Sequence, residues 1–271
     1  MATILVNFYL FWHGRLKCPG AGLLLRLFRG ILPGLRDYPL SFQGTGTARL
    51  DFRDQASFSL LNYKAGDWGN HRFLFQAMAA RLHRGEVLWD VGANVGLVSL
   101  HFSQPSFALK KIHAFEPSAG PRKSLQALWG SHARVCVHPF GLSSSAWQGR
   151  MKSRPGDSSY GTVVPAEDPL GNECIRLESG DALVASGMEP PQMIKVDVEG
   201  HEPEVFAGLT QTIRTCQPII FFEHIFLSDD QLRRMVPAGY RLSFLLENGS
   251  WSTDFKTRML GHEALLEPAV A

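Results

Sequence analysis

The sequence predicts an α/β fold with a doubly wound, mostly parallel sheet whose last strand is antiparallel. Two observations lead to this prediction. Short apolar runs typical of buried strands are followed by polar residues and then by segments with helical spacing, at 87–102, 111–129 and 193–213. Near the end of the chain, the Asn248-Gly249 pair indicates a hairpin, and residues 251–255 form the predicted final strand.

Length, composition and charge limit the class of protein. The 271 residues are 45% hydrophobic and 19% charged, which is typical of a globular chain long enough to bury a large core. A formal net charge of +2 is too small for nucleic acid to be expected as an electrostatic partner. The cysteines are far apart and form no C-x-x-C pair, so a reduced, cytoplasmic protein without a zinc site or disulfide framework is expected. They are Cys18, Cys136, Cys174 and Cys216.

Residues 1–60 form a predicted extension ahead of the main domain. Residues 4–12 are apolar but too few to span a membrane. The next apolar residues fall on one helical face, with Arg26 and Arg29 opposite; they are Leu23, Leu24, Leu27, Phe28 and Ile31. Two interpretations stay open: residues 4–32 contact a membrane surface, or they pack on the main domain or on a second copy of the chain. Residues 40–62 alternate in places and predict a strand arm.

The main domain is predicted to cover residues 61–260. Residues 71–82 have helical spacing and lead into the strand at 87–91, and residues 135–140 form a third strand. Glycines and prolines then interrupt residues 143–191 every few positions, which predicts a long irregular connection. We interpret it as part of the substrate wall, with a disordered surface loop as the alternative. Residues 261–271 show no pattern and are predicted to be a tail.

The turn after residues 87–91 is the first candidate ligand site. Gly92 and Gly96 let a ligand approach the backbone, and the helix that follows presents free N–H groups. Glu116 ends the next strand, where a carboxylate can accept both hydroxyl hydrogens of a ribose. The turn lacks the third glycine of the NAD motif G-x-G-x-x-G. Asp90 suits the positively charged sulfonium and amino groups of S-adenosylmethionine better than a pyrophosphate.

A cluster of ionisable residues follows the strand at 193–196. Asp197, Glu199, His201 and Glu202 come in quick succession, at the strand end where ligands of open α/β sheets bind. A position near a helix N-terminus disfavours imidazolium, so His201 is the candidate general base. Glu199 or Asp197 is its substrate-positioning partner or the alternative base. The competing interpretation is that Glu199 and His201 only cap the helix or fix the loop.

Glu223 and His224 end a further predicted strand over 218–222. We expect them to hold substrate hydroxyls. Their spacing is not a recognised metal-ligand motif, so no metal site is predicted.

Three stretches together resemble the FkbM family of S-adenosylmethionine-dependent methyltransferases. They are residues 90–96 (DVGANVG), 115–117 (FEP) and 194–202 (IKVDVEGHE). The resemblance covers roughly residues 60–246 and implies a class I methyltransferase fold and O-methylation of a hydroxyl on a sugar, glycan or natural product. Many class I methyltransferases carry glycine at the position of Asn94, and the FkbM pattern accepts asparagine.

The resemblance also carries over individual roles. It assigns cofactor contacts to Asp90, Gly92, Ala93, Asn94, Gly96, Glu116, Pro117 and Gly141. Ser158 and Ser159 match a serine position typical of the family and are expected to contact substrate. Two other functions stay open at this point, an NAD-type oxidoreductase on a similar sheet and a non-catalytic binding module that kept the fold.

Overall fold

A computed structural model describes residues 1–15, 21–69, 71–130 and 132–269. Cys18 and the side chain of Leu24 lie outside the described parts. The strands are β1 (Tyr38–Phe42), β2 (Gly46–Leu50), β3 (Val87–Val91), β4 (Lys111–Phe115), β5 (Val135–His138), β6 (Gly141–Ser143), β7 (Trp147–Arg154), β8 (Asp157–Val164), β9 (Glu173–Ser179), β10 (Met193–Val196), β11 (Ile219–Glu223), β12 (Tyr240–Leu245), β13 (Trp251–Ser252) and β14 (Glu263–Pro268).

Helices separate most of these strands. They are α1 (Ala2–Gly14), α2 (Ala21–Phe28), α3 (Ser57–Lys64), α4 (His71–Ala79), α5 (Leu97–Phe102), α6 (Ala119–Trp129), α7 (Gly180–Ala185), α8 (Glu202–Ala207), α9 (Thr210–Cys216) and α10 (Asp229–Met235). Short 3₁₀ helices cover Pro33–Leu35 and Phe255–Leu260.

The main sheet has the order β13-β12-β14-β11-β10-β3-β4-β5 in the described residues. Neighbouring strands from β11 to β5 are parallel, and β14 lies antiparallel between β11 and β12. The predicted doubly wound, mostly parallel sheet is therefore confirmed. Chain order reverses between β3 and β10, so the carboxyl ends of these two strands flank the crevice in which open α/β sheets bind ligands.

Both faces of the sheet are covered, which explains the apolar runs in the sequence. Leu88 of β3 belongs to one core layer, together with residues of α4, α5 and α6. Trp89 and Val91 point into the opposite layer, where they pack with Val205 and Ile213 of α8 and α9. Successive strand residues face opposite sides, so a strand buried on both faces needs apolar residues throughout.

Residues 143–191 are more regular than predicted. The expected irregular connection is wrong, because β6 to β9 form a second sheet with the order β6-β9-β7-β8. The breakers that suggested a loop, such as Pro155-Gly156 and Pro165, lie at the ends of strands. Met151, Ile175 and Leu177 form a small buried cluster in this sheet, and Leu142 of β6 packs into the core of the main sheet. The strands of the second sheet therefore carry little of the apolar signal that identifies a core strand.

The predicted tail is also wrong for residues 263–268. They form β14, whose Ala264, Leu265 and Leu266 are fully buried in the middle of the main sheet. Three apolar residues between Glu263 and Glu267 are too few to give a clear period. The hairpin at Asn248-Gly249 is present, but the strand after it, β13, has only two residues.

The N-terminal extension packs on the main domain with one side of each helix. Val6 and Tyr9 of α1 are buried, and the Tyr9 hydroxyl donates to Asn62 of α3. On α2, Leu25 is buried, whereas Leu23 and Leu27, and Ile31 after the helix, are exposed. Contact of residues 4–32 with a membrane or a second copy of the chain stays a prediction. In the described parts of the chain, no helix has both the length and the apolar character that crossing a bilayer requires. The domain boundary near residue 60 stays a prediction.

Replacement of Leu265 tests the position of β14. Leu265→Ala should lower the free energy of unfolding by about 2–5 kcal/mol, because it leaves a cavity in the core. The same change at the exposed Leu170 should alter it by no more than about 0.5 kcal/mol. Urea denaturation measures both. Equal values for the two variants would contradict a central β14.

Candidate active site

The turn after β3 is pressed against the end of β10. Gly92 has a φ of +81°, and a Cβ added to it would lie 1.9 Å from the carbonyl oxygen of Asp197. Only glycine fits this combination of backbone angle and contact. The Gly92 and Ala93 N–H groups donate to the Phe115 carbonyl at 3.0 Å, so β4 holds the same turn from the other side.

Glu116 fixes the turn through its carboxylate. Its Oε2 accepts the Asn94 N–H at 2.8 Å and its Oε1 accepts the Ser118 N–H at 2.8 Å. Burial raises the pKa of Glu116 to about 7, although both N–H groups favour the ionised form. Each carboxylate oxygen has lone pairs for more than one hydrogen bond, so both retain acceptor capacity toward a ligand.

Asp90 lies beneath the same turn. Its Oδ2 accepts the Ser99 N–H at 3.0 Å and the Ser99 hydroxyl at 2.6 Å, which ties β3 to the start of α5. Burial raises the pKa of Asp90 to about 6. Gly96 also serves packing, since an added Cβ would lie 2.6 Å from Leu125 and 2.7 Å from Trp129. Gly96 lines neither of the cavities described next.

The first cavity has a volume of about 480 Å³ and lies over the ends of β3 and β4. Of the predicted cofactor residues, Gly92, Asn94, Glu116, Pro117 and Gly141 line it, whereas Asp90 and Ala93 line only the second cavity. Apolar residues from the second sheet also line the first cavity. Its walls include Glu116, Pro117, Gly141, Leu142, Met151 and Leu177.

The turn between β7 and β8 covers one side of this cavity. Asp54 accepts the Ser158 N–H at 2.9 Å, and the Asn94 side-chain amide donates to the Ser158 carbonyl at 3.3 Å. Ser158 therefore joins the second sheet to the glycine turn. Residues of the segment 143–191 thus line this cavity, and their predicted role as part of the substrate wall stays a prediction.

The second cavity has a volume of about 360 Å³ and lies over β10 and β11. Charged and polar residues from six separate segments line it, which are His71, Asp90, Lys195, Glu223, Glu247 and His262. The two cavities share Gly92, Asn94, Ser159, Asp197 and Glu199. Asp197 and Glu199 therefore lie at the place where two ligands would meet.

The acids of this meeting point are close to one another. Asp197, Glu199 and Glu223 can each bring one oxygen within 4.8 Å of the others. Burial and the charge of Asp197 raise the pKa of Glu199 to about 8 and that of Glu223 to about 9. Such a set can bind a proton or another cation. Carboxylate oxygens are also suitable ligands for a divalent ion. The expectation that no metal site is present here therefore stays a prediction.

Lys195 supplies the positive charge that offsets these acids. Its side chain is 1% exposed, and its Nζ lies 3.4 Å from Asp197 Oδ2 and 3.1 Å from Glu263 Oε2. Burial alone would lower the pKa of Lys195, but Asp197, Glu263 and Glu223 together raise it above its ordinary value. The lysine therefore stays charged beneath the two cavities.

The predicted catalytic residues in the loop after β10 differ in their positions and contacts. Glu199 has a φ of +54°, a strained conformation for a residue other than glycine. His201 lines only the first cavity, and its Nε2 is hydrogen-bonded to the Ser143 hydroxyl at 3.0 Å. Burial lowers the pKa of His201, which keeps the ring neutral. Glu202 is buried and accepts the N–H groups of Val198 and Gly200, so it stabilises the loop.

His224 is not part of the site. It is fully buried, its ring packs against Phe244, and it lines neither cavity. Sequence reasoning missed Lys195, His71 and Glu263. Lys195 could have been found from the sequence, because a lysine inside an apolar strand is unusual. Glu263 belongs to a strand that was predicted to be part of the tail.

Removal of the buried cation should expose the repulsion among the acids. Lys195→Met is expected to lower the free energy of unfolding by about 3–5 kcal/mol at about pH 8, because it leaves the carboxylates uncompensated. The loss should shrink toward about pH 5, where the acids take up protons.

Urea denaturation at both pH values measures the effect, and the exposed Lys152→Met is the matched control. Adding Glu263→Gln to Lys195→Met should restore part of the stability. A loss that is the same at both pH values would contradict the electrostatic explanation.

Comparisons with known proteins place this geometry in a family. A model of the methyltransferase FkbM domain matches residues 90–249. Hexuronic acid methyltransferase AglP of Haloferax volcanii is 35% identical over 142 residues, which are 51% of this chain and 56% of that protein. AMB antimetabolite synthetase AmbE of Pseudomonas aeruginosa is 26% identical over 161 residues, which are 45% of this chain and 8% of that protein. This chain thus spans little more than half of AglP.

A solved structure shows the same fold. The crystal structure of methyltransferase FkbM from Methylobacillus flagellatus matches with a TM-score of 0.53 and 17% identity, over 80% of this chain and 55% of that one. The predicted class I methyltransferase fold is thereby confirmed. The range matched by the family model is more than half of the chain and contains the glycine turn, Glu116 and the loop after β10. The chain therefore belongs to the FkbM family of methyltransferases.

Proposed function

We propose that this protein transfers a methyl group from S-adenosylmethionine to a hydroxyl of a sugar. The observation that carries the proposal is the meeting of the two cavities at Asp197 and Glu199. One cavity suits a nucleoside, and the other presents carboxylates to a polyhydroxylated acceptor. A reaction between two bound molecules requires such a shared boundary.

The first cavity fits the methyl donor. Glu116 offers acceptor capacity for both ribose hydroxyls, and Pro117, Leu142 and Leu177 offer apolar surface to a base. The acids at the meeting point favour a positive charge and would repel the pyrophosphate of NAD. The oxidoreductase alternative is therefore not favoured. S-adenosylmethionine, when bound, supplies an electrophilic methyl group on a sulfonium centre.

The second cavity fits a sugar. Asp197, Glu199 and Glu223 can accept hydrogen bonds from several hydroxyls at once. The similarity to AglP, a hexuronic acid methyltransferase, supports a sugar as the acceptor. The acids also make a hydroxyl a better target than a carboxylate, because like charges repel.

We assign proton removal to Glu199. It lies at the boundary of both cavities, whereas His201 lines only the first and is hydrogen-bonded to Ser143. A pKa of about 8 keeps Glu199 mostly protonated in the free protein at neutral pH. A positive charge bound nearby would lower that pKa and make the carboxylate available. Asp197 and Glu223 orient the acceptor, and His201 with Ser143 keeps the loop in place.

The pH dependence of cofactor binding tests the assignment of Glu116. An ionised carboxylate accepts both ribose hydroxyl hydrogens, and the pKa of Glu116 is raised to about 7. The affinity for S-adenosylhomocysteine should therefore rise up to about tenfold between about pH 6 and about pH 8. Isothermal titration measures it, and Glu116→Gln should bind weakly with a flat profile. Binding of NAD but not of S-adenosylhomocysteine would overturn the proposed function.

Substitution of Glu199 tests the proposed base. Glu199→Gln should lower kcat by about 10²- to 10⁴-fold, the range typical of a lost general base. Its affinity for S-adenosylhomocysteine should change little, because the residue acts on the acceptor. Glu167→Gln on the exposed surface is the matched control. A larger loss of kcat in His201→Gln than in Glu199→Gln would return the base to His201.

The assay should use labelled S-adenosylmethionine with a panel of neutral hexosides and hexuronic acids. Treatment of the product with mild alkali distinguishes the two oxygen targets, since a methyl ester is hydrolysed and a methyl ether is not. An alkali-stable product is expected. An alkali-labile product would contradict transfer to a hydroxyl.

A further inference from the structure

Each of the two N-terminal helices carries exposed apolar residues along one side, and we name these residues together the N-terminal apolar face. It consists of Ile4, Phe8, Phe11 and Trp12 of α1, Leu23 and Leu27 of α2, and Ile31 just after α2. Their exposed fractions run from 36% for Phe8 to 72% for Ile31. Isolated exposed apolar residues are ordinary, but seven on one helical pair indicate an interaction surface.

The spacing shows that this face is a continuous stripe on α1. Positions 4, 8, 11 and 12 have the spacing of residues on one side of a helix. The ring of Phe8 lies against that of Trp12 in a tilted arrangement, with 5.3 Å between the ring centroids. The opposite side of α1 carries Val6 and Tyr9, which are buried against the domain. The helix is therefore apolar on both sides. A helix that is apolar on both sides normally has both sides covered. In α1 the domain covers the side of Val6 and Tyr9, and the other side is exposed.

The first 36 residues carry formal charges of one sign in the sequence. Residues 1–36 contain five lysines and arginines, namely Arg15, Lys17, Arg26, Arg29 and Arg36, and no aspartate or glutamate. The rest of the chain has twenty-two lysines and arginines against twenty-five acids. A segment of charge +5 is therefore attached to a domain of charge −3.

We propose that the N-terminal apolar face docks the protein on the surface of a membrane that contains anionic lipids. Apolar side chains of an interfacial helix enter the boundary between headgroups and acyl chains, and basic residues contact the anionic headgroups. Tryptophan and other aromatic side chains favour this interface. A second copy of the chain is a poorer occupant, because it would bring two segments of charge +5 together.

Vesicle flotation with the full chain tests the proposal. Vesicles of phosphatidylcholine with about 30% phosphatidylglycerol should bind the protein at least about tenfold more tightly than phosphatidylcholine alone. Leu23→Gln with Leu27→Gln should weaken binding to the anionic vesicles at least about tenfold. Arg15→Glu with Arg29→Glu should weaken it at least about tenfold as well.

A matched control separates docking from general surface hydrophobicity. Leu170→Gln with Met259→Gln changes residues that are 60% and 61% exposed, against 59% and 60% for Leu23 and Leu27. This control should bind the anionic vesicles like the unchanged protein. Equal loss in the control, equal binding to both vesicle types, or no binding to either would overturn the proposal. So would a dimer in light scattering that Leu23→Gln with Leu27→Gln dissociates.

Discussion

Lys195 lies on β10, and its buried ammonium group lies beneath the carboxylates at the boundary between the two cavities. Its ammonium group contacts Asp197 and Glu263 and is close enough to Glu223 to affect its ionisation. Charges of one sign cannot be gathered in a buried place unless an opposite charge or bound protons offset them. The lysine therefore allows acids from three strands to lie at the same edge of the sheet: Asp197 just after β10, Glu223 at the end of β11 and Glu263 at the start of the antiparallel β14.

The close contact between the turn after β3 and the end of β10 places these acids beside both cavities. Because Gly92 has no side chain, the turn after β3 lies directly against the Asp197 carbonyl, and Gly92 and Asp197 line both cavities. Glu116 and Glu202 hold the neighbouring loops by accepting backbone N–H groups. Glu116 and Glu202 thus hold backbone N–H groups in place, whereas Asp197 and Glu199 face the space that the two cavities share. These hydrogen bonds run from backbone N–H groups to carboxylates, a pairing that is stronger than a hydrogen bond between neutral groups.

Sequence reasoning succeeded where a feature depends on neighbouring residues. The strand, turn and helix around Gly92, the acid at 116 and the cluster after 196 each carry their signal within about ten positions. It failed where a partner is distant in the chain. Lys195 and Glu263 are paired through strand order, and β14 is a core strand only because β11 and β12 flank it. The second sheet was missed because its strands have few buried residues, and the loss of His224 from the site follows from the direction of its side chain.

The raised pKa values of Glu199 and Glu223 couple proton binding to cation binding. Since a nearby positive charge lowers the pKa of an acid, loss of the proton must strengthen binding of that positive charge by the same free energy. In the proposed reaction, Glu199 would become a base when the positively charged methyl donor occupies the first cavity. Loss of that charge on transfer would return the pKa of Glu199 toward 8, so that it would keep the proton taken from the hydroxyl. Under this proposal, the acid cluster favours proton capture in the direction of methyl transfer.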